Sequence, residues 1–263
     1  MLFNSFEFIL FFPIVTFLFF VFPYKYRWML LLTSSCVFYA FFKWEYIFIL
    51  LFTIIIDYYA GIWIHKTRGV KRKWALAISL VANIGVLALF KYYYFIIDNI
   101  NAVSYKINQT HYDPLWHFIL PIGLSFHTFQ AMSYTIEVYR GNQKVERNFG
   151  IYALYVMFYP QLVAGPIERP QNVLHQFYEK FDFDYDRVKS GLRLMLWGMF
   201  KKVVIADNLS VFVDQVYGDL GKYQGMPLLI ATLFYSLQIF CDFSGYSDIA
   251  LGSARVMGFN LMK

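Results

Sequence analysis

Apolar residues recur along this chain in runs close to the roughly 20 residues that a membrane-spanning helix needs. Seven stand out: Phe6–Phe22, Trp28–Phe42, Trp44–Ile64, Trp74–Ile97, Leu115–Ile136, Val188–Ile205 and Met226–Cys241. Trp28–Phe42 and Met226–Cys241 are short for a full span. An eighth stretch, Phe149–Gly165, is apolar but interrupted by Pro160, the pattern of a re-entrant or broken helix whose backbone must be shielded by protein or a water-filled cavity. The pattern predicts an all-α, polytopic membrane protein with about seven or eight transmembrane or re-entrant helices and short loops. No repeat or Pro/Gly/Ser-rich linker divides the chain, so residues 1–263 read as a single membrane domain.

Loop charge orients these spans. Tyr24-Lys-Tyr-Arg27 follows the first, and Lys66, Arg68, Lys71, Arg72 and Lys73 follow the third. Both loops belong on the cytoplasmic side by the positive-inside rule, which puts the amino terminus outside. The same scheme makes Asp98–Pro114, with Lys106 as its one basic residue, external, and returns the chain to the cytoplasm at Arg140, Lys144 and Arg147. The opening MLFNSFE lacks Lys and Arg and no small-residue cleavage site follows Phe22, so the first span reads as a retained helix rather than a signal peptide. Glu168–Lys189 mixes aromatics with charges and reads either as a helix lying along the headgroups or as a polar loop.

Composition narrows the class. Hydrophobic residues make up 59% and charged residues 15% of the chain, against roughly 45–50% and 25% in average soluble domains. A water-soluble globular protein and a disordered chain are both excluded. The net charge is +6, but the basic residues lie in short clusters between apolar runs, so no nucleic-acid partner is expected. Cys36 and Cys241 sit in separate apolar runs and offer no metal-ligand spacing.

Polar groups inside a bilayer each cost about 2.5–3.5 kcal/mol on insertion scales, so the intramembrane ones carry the information. Asp57 and Arg193 interrupt apolar runs, and either is accounted for by lying near the membrane surface, Asp57 by pairing with a lysine there. In Leu120–Gln130, Pro121 and Gly123 break a helix while Ser125, His127, Thr128 and Gln130 present polar groups, with His127 and Gln130 on one face. Phe158–Ile167 repeats the device around Gln161, with Pro160, Gly165 and Pro166. Cys241–Ala250 carries Asp242, Ser244, Tyr246, Ser247 and Asp248. If that helix is continuous, its two carboxylates do not share a face, and Ser247 or Asp248 suits a helix start equally well. Ser125, His127, Gln130, Gln161, Asp242, Ser244, Tyr246 and Asp248 are therefore the candidates for lining a substrate path, and the bland alternative for each is an interhelical hydrogen bond. Lys201 and Lys202 read as a positive-inside anchor or as an attractor for an anionic donor.

Taken in order, these stretches resemble the membrane-bound O-acyltransferase (MBOAT) family, in its bacterial alginate and peptidoglycan O-acetylation branch. The matching residues are Met1–Phe8, Asp57-Tyr-Tyr-Ala-Gly61, Leu120–Gln130 with Val138-Tyr-Arg-Gly141, Tyr159–Ile167, Phe200–Leu209 and Cys241–Ala250. The resemblance implies a multi-pass enzyme of the bacterial cytoplasmic membrane. Such an enzyme moves an acyl group, usually acetyl, from a cytosolic thioester such as acetyl-CoA to hydroxyls of an extracytoplasmic polysaccharide. It also implies an extracytoplasmic acyl-transfer partner protein and no bound cofactor; the motifs at Pro121, Pro160 and Gly245, read from the residues themselves, supply the broken helices that such a transfer needs, and no metal site is suggested. The family's catalytic histidine lies in a Trp-His stretch that these residues lack, and it is expected beyond Lys263. None of His65, His111, His117, His127 and His175 occupies that motif. The expectation is an amino-terminal portion, inactive alone, with His127 the first candidate should the base lie within it. A transporter or channel and a non-catalytic membrane scaffold are the alternatives. Against the first, neither paired interruptions in two halves nor a ring of like charge is present.

Overall fold

A computed structural model describes residues 1–108, 123–162 and 165–262. Ten α-helices follow in order among them: α1 Phe6–Val21, α2 Arg27–Ala40, α3 Tyr46–Lys66, α4 Val70–Asn108, α5 Leu124–Arg140, α6 Phe149–Met157, α7 Pro170–Val173, α8 Tyr185–Met199, α9 Asp207–Gly218 and α10 Met226–Met257. A 3₁₀ turn precedes α2, another follows α7, and a π-helical segment Phe200–Ala206 joins α8 to α9. Among the described residues there is no strand, as the apolar pattern predicts.

Local chemistry sets the helix ends. Ser5 Oγ accepts from Phe8 N at 3.3 Å at the start of α1, and Asp184 Oδ1 accepts from Arg187 N at 2.7 Å at the start of α8. Gly123, at φ 76°, turns the chain into α5, and Gly258, at φ 112°, ends α10, both in backbone that only glycine adopts without strain. Along α1, Phe8, Phe12, Val15 and Phe19 are buried while Phe6, Leu10, Ile14, Phe17 and Val21 are exposed, two opposite stripes at helical spacing. An exposed stripe this apolar is what lipid tails would cover.

Three helices, α3, α4 and α10, are long and apolar enough to cross a bilayer. At 16 residues, α1 spans only about 24 Å at 1.5 Å per residue. The expected break in Phe149–Gly165 occurs: α6 stops at Met157 and the chain turns through 158–162, with every residue of Ile151–Met157 buried. The span expected from Leu115 enters the described residues only at 123, so its first part, Pro121, His111 and His117 lie outside them. Glu168–Lys189 is neither one interfacial helix nor a plain loop. It forms α7, a 3₁₀ turn and an extended stretch before α8.

One expectation fails outright, since α10 runs unbroken through Gly245. The glycine there serves contact instead. A Cβ on Gly198 would fall 2.6 Å from the Gly245 carbonyl oxygen, and one on Gly252 would fall 2.6 Å from the Gly191 carbonyl oxygen. Glycines seven residues apart on α8 meet glycines seven residues apart on α10, so two antiparallel helices touch backbone to backbone at both levels. With α8 continued by the π segment and α9, the result is one long helical hairpin, closed further on by Phe212 against Phe234 at 5.4 Å. Neither Ser247 nor Asp248 starts a helix, because both lie inside α10.

The basic loops converge at one end of the array. Tyr24 Oη donates to the Tyr178 carbonyl, Arg27 Nη1 donates to the Phe181 carbonyl at 2.5 Å, Tyr178 Oη donates to Glu146 at 2.8 Å, and Arg72 donates to the Val138 and Tyr139 carbonyls. These contacts tie the 24–27, 66–73 and 140–147 clusters together, as loops on one side of a membrane require.

Candidate functional site

The eight path candidates resolve into two clusters. The first lies where α5 passes the α6 turn. His127 and Gln130 are both buried, on one face as their spacing predicts. Gln130 Nε2 donates to the Tyr155 carbonyl at 2.7 Å and to Gln161 Oε1 at 2.8 Å, so the two broken stretches of the sequence meet through a pair of glutamines. Tyr155 Oη donates to the Glu168 carbonyl at 2.9 Å, extending the chain of polar contacts beyond α6. The His127 ring packs edge-on against Tyr39, centroids 5.9 Å apart. Its Nε2 and the Gln161 Nε2 are buried with no hydrogen-bond partner among the described residues. Ser125, half-buried two residues before His127, lies on the opposite side of α5 from that face. Gly123 explains the tightness, for a Cβ there would come within 2.4 Å of the Leu162 carbonyl oxygen and 3.2 Å of His127 Nε2.

The second cluster sits on the hairpin. Lys201 Nζ lies 2.5 Å from Asp248 Oδ2 and donates to Ser244 Oγ at 2.5 Å. Lys202 Nζ lies 2.7 Å from Asp242 and 2.9 Å from Asp207, over the Tyr246 ring. Asp242 and Asp248 do face different ways on the continuous helix, and two successive lysines of the π segment serve one each. A π-turn places neighbouring side chains differently from an α-turn and is frequent at functional sites. Tyr246 Oη donates to Asn4 Oδ1 at 3.4 Å and its ring lies 5.8 Å from Phe3, just before α1 begins.

That last contact corrects the reading of the lysines as an anchor or donor attractor. They sit by the start of α1, whereas the basic loops gather at its far end, and each lysine already faces a carboxylate. Their charge is local and largely balanced. Between the clusters, Phe126 of α5 stacks on Phe243 of α10 at 6.3 Å.

Asp57 is placed differently from expectation as well. It is fully buried and pairs with no lysine: Ser79 Oγ donates to it at 2.6 Å and Asn83 Nδ2 donates to both its oxygens at 2.9 Å. Ser79 Oγ also lies 3.0 Å from Thr135 Oγ1, so the group ties α3, α4 and α5 together. Arg193 is exposed on the outer face of α8. Sequence reasoning overlooked Ser79, Asn83 and the glycine pairs. The two seven-residue glycine spacings, 191 to 198 and 245 to 252, were the available signal. Among the described residues no group of His, Cys, Asp and Glu is arranged to hold a metal ion.

Comparison with known proteins gives this geometry a context. The chain is 35% identical over 260 residues to the "Probable alginate O-acetylase AlgI" of Azotobacter vinelandii, covering 97% of the chain and 51% of that protein. It is 34% identical over 250 residues to the peptidoglycan O-acetyltransferase of Helicobacter pylori, 84% of the chain and 46% of the relative. A teichoic acid D-alanyltransferase of Streptococcus thermophilus matches more distantly, at 26% over 52% of the chain and 34% of the relative. No protein-family model matches. The chain thus spans about half the length of the curated relatives it matches.

Proposed function

We propose that the chain forms the helical scaffold of a membrane O-acyltransferase site acting on a cell-envelope polymer, a reading supported by its likeness to bacterial O-acetylating enzymes. The observation that carries this reading is the identity to two O-acetylating enzymes of different polymers along most of the chain. The donor is a cytosolic acyl thioester, with acetyl-CoA the first choice, and the acceptor is a hydroxyl of an extracytoplasmic polysaccharide. An extracytoplasmic partner protein completes delivery, and the protein sits in the bacterial cytoplasmic membrane with its amino terminus outside.

In the reaction the acceptor oxygen attacks the thioester carbonyl carbon, a C–O bond forms, and the C–S bond breaks. The hydroxyl proton passes through a base to the departing sulfur. Such a base contributes roughly 10²- to 10⁴-fold, and in this proposal it comes from the half of the relatives that the chain does not match. What this chain supplies is a route. The Gln130–Gln161 pair gives a buried lining between apolar walls in which Gln161 Nε2, without a partner among the described residues, can donate to a carbonyl or hydroxyl oxygen while His127 Nε2 can accept from a hydroxyl.

The test uses membranes holding this chain together with the portion of the Azotobacter relative that it does not match. Gln130→Leu, Gln161→Leu and His127→Ala should each lower transfer of acetyl label at least about tenfold with chain abundance unchanged, as expected when a buried hydrogen-bonding group is lost from a site. Parental rates in all three would take the cluster off the route.

A further inference from the structure

A groove of about 330 Å³ opens at the basic end of the array, between the last turns of α3 and the segment after α5. Tyr58, Ile62, His65, Lys66, Val145 and Arg147 line it. From this lining we infer a binding site for a phosphate group, carried either by an anionic lipid headgroup or by a soluble phosphate-bearing molecule such as a nucleotide-type thioester carrier.

His65, Lys66 and Arg147 come from two segments far apart in sequence, and among the described residues none of the three is ion-paired. Elsewhere among the described residues Arg140 pairs with Glu137, Lys180 with Asp182, Lys222 with Asp219, and Lys201 and Lys202 with aspartates, while what sets the groove apart is that its basic side chains share one concave lining. The acid nearest in sequence, Glu146, already accepts from Tyr178 Oη at 2.8 Å and from Asn148 N at 2.8 Å. Construction adds to this, because Tyr58 Oη donates to the Arg147 carbonyl at 2.5 Å and holds the arginine's backbone against α3. An arginine fork beside a lysine point charge matches phosphate geometry. The apolar floor of Ile62 and Val145 suits the carbon part of the same ligand. The volume falls at the small end of ordinary ligand sites.

The inference stands on the groove and is read by binding, so it holds or fails separately from acyl transfer. The chain is placed in nanodiscs and compared with Lys66→Ala/Arg147→Ala and with Arg68→Ala/Lys71→Ala, which removes the same formal charge from the α3–α4 turn and the start of α4. In phosphatidylcholine discs, unacylated coenzyme A is titrated by its adenine fluorescence. In discs with one tenth phosphatidylglycerol, the lipid retained by the chain is counted by mass spectrometry.

The groove variant should lose at least about tenfold in coenzyme A affinity or in phosphatidylglycerol enrichment, the loss expected of charge-assisted hydrogen bonds. The second variant should stay within about twofold, since neither of its residues lines the groove. A coenzyme A effect identifies a soluble source, and a lipid effect identifies the headgroup. Equal losses in both variants, or no binding of either probe by the parent chain, would overturn the inference.

Discussion

Replacing Gly198 by alanine tests the close approach that organises the hairpin. The new methyl would meet the Gly245 carbonyl oxygen at 2.6 Å and the Ile249 backbone nitrogen at 2.9 Å. Both are backbone atoms of α10, so no side chain can swing aside and the helices must part by several tenths of an ångström. Overpacking of this kind costs about 1–3 kcal/mol. Alanine also favours the helix over glycine by about 1 kcal/mol, which offsets part of the loss. Gly85, inside α4 with nothing within 4 Å of its added Cβ, supplies the control, where only the favourable part remains. The two variants should therefore differ by about 1–3 kcal/mol. For a protein near this size that is roughly 2–12 °C in melting midpoint, read by tryptophan fluorescence in detergent micelles, with Gly85→Ala at or above the parent and Gly198→Ala below Gly85→Ala. Should Gly198→Ala melt with or above Gly85→Ala, the hairpin is not held by glycine contact.

Three further outcomes follow from the polar clusters. Asp57→Asn sets one amide N–H₂ against that of Asn83 and should cost about 1–3 kcal/mol. The exchange Asp57→Asn/Asn83→Asp should recover most of it, and an exchange no better than the sum of the single changes would refute the pairing. Lys201→Met leaves Asp248 with its partner removed and should destabilise by about 2–4 kcal/mol, while Lys201→Met/Asp248→Leu should approach the parent. A single variant as stable as the double would show that the ion pair does not hold the π segment to α10. Burial pushes the Glu168 carboxyl above its ordinary value, against the Met262 N–H that donates to it. A raised carboxyl pKa means that ionised Glu168 weakens the fold at neutral pH and that the penalty fades as pH falls through its folded pKa. Glu168→Gln should accordingly raise the melting midpoint at pH 7.5 and do so less near pH 5. An unchanged increment across that range would contradict the reading.

The apolar runs gave away the helices because burial in lipid needs length and hydrophobicity, and both are local properties. α3 coincides closely with its predicted span, whereas α4 starts four residues before Trp74 and runs on to Asn108, through residues expected to begin an external loop, and the turn after α6 falls at Pro160 as expected from a residue that lacks an N–H. Gly123 also breaks the chain where predicted, but Gly245 does not. A glycine frees the backbone in one place and admits a neighbouring helix in another, and only the partner helix distinguishes the two. The site was half legible for the same reason. The i,i+3 face of His127 and Gln130 follows from helical geometry, whereas the meeting of Gln130 with Gln161 depends on how α5 packs on the α6 turn. Asp57 was visible as an anomaly, yet its partners Ser79 and Asn83 are ordinary residues on α4 until the fold brings them close.

The central claim is acyl transfer, and it is tested by following label from acetyl-CoA carrying a radioactive acetyl group into envelope polymer. Three membrane preparations are compared: this chain alone, the unmatched portion of the Azotobacter relative alone, and the two together. The account predicts polymer label only in the combination. Equal label from this chain alone would contradict a base supplied by the unmatched half and would turn attention to His127. Absence of label from the combination, with both parts in the membrane and purified polymer and partner protein supplied, would contradict the acyl-transfer reading itself.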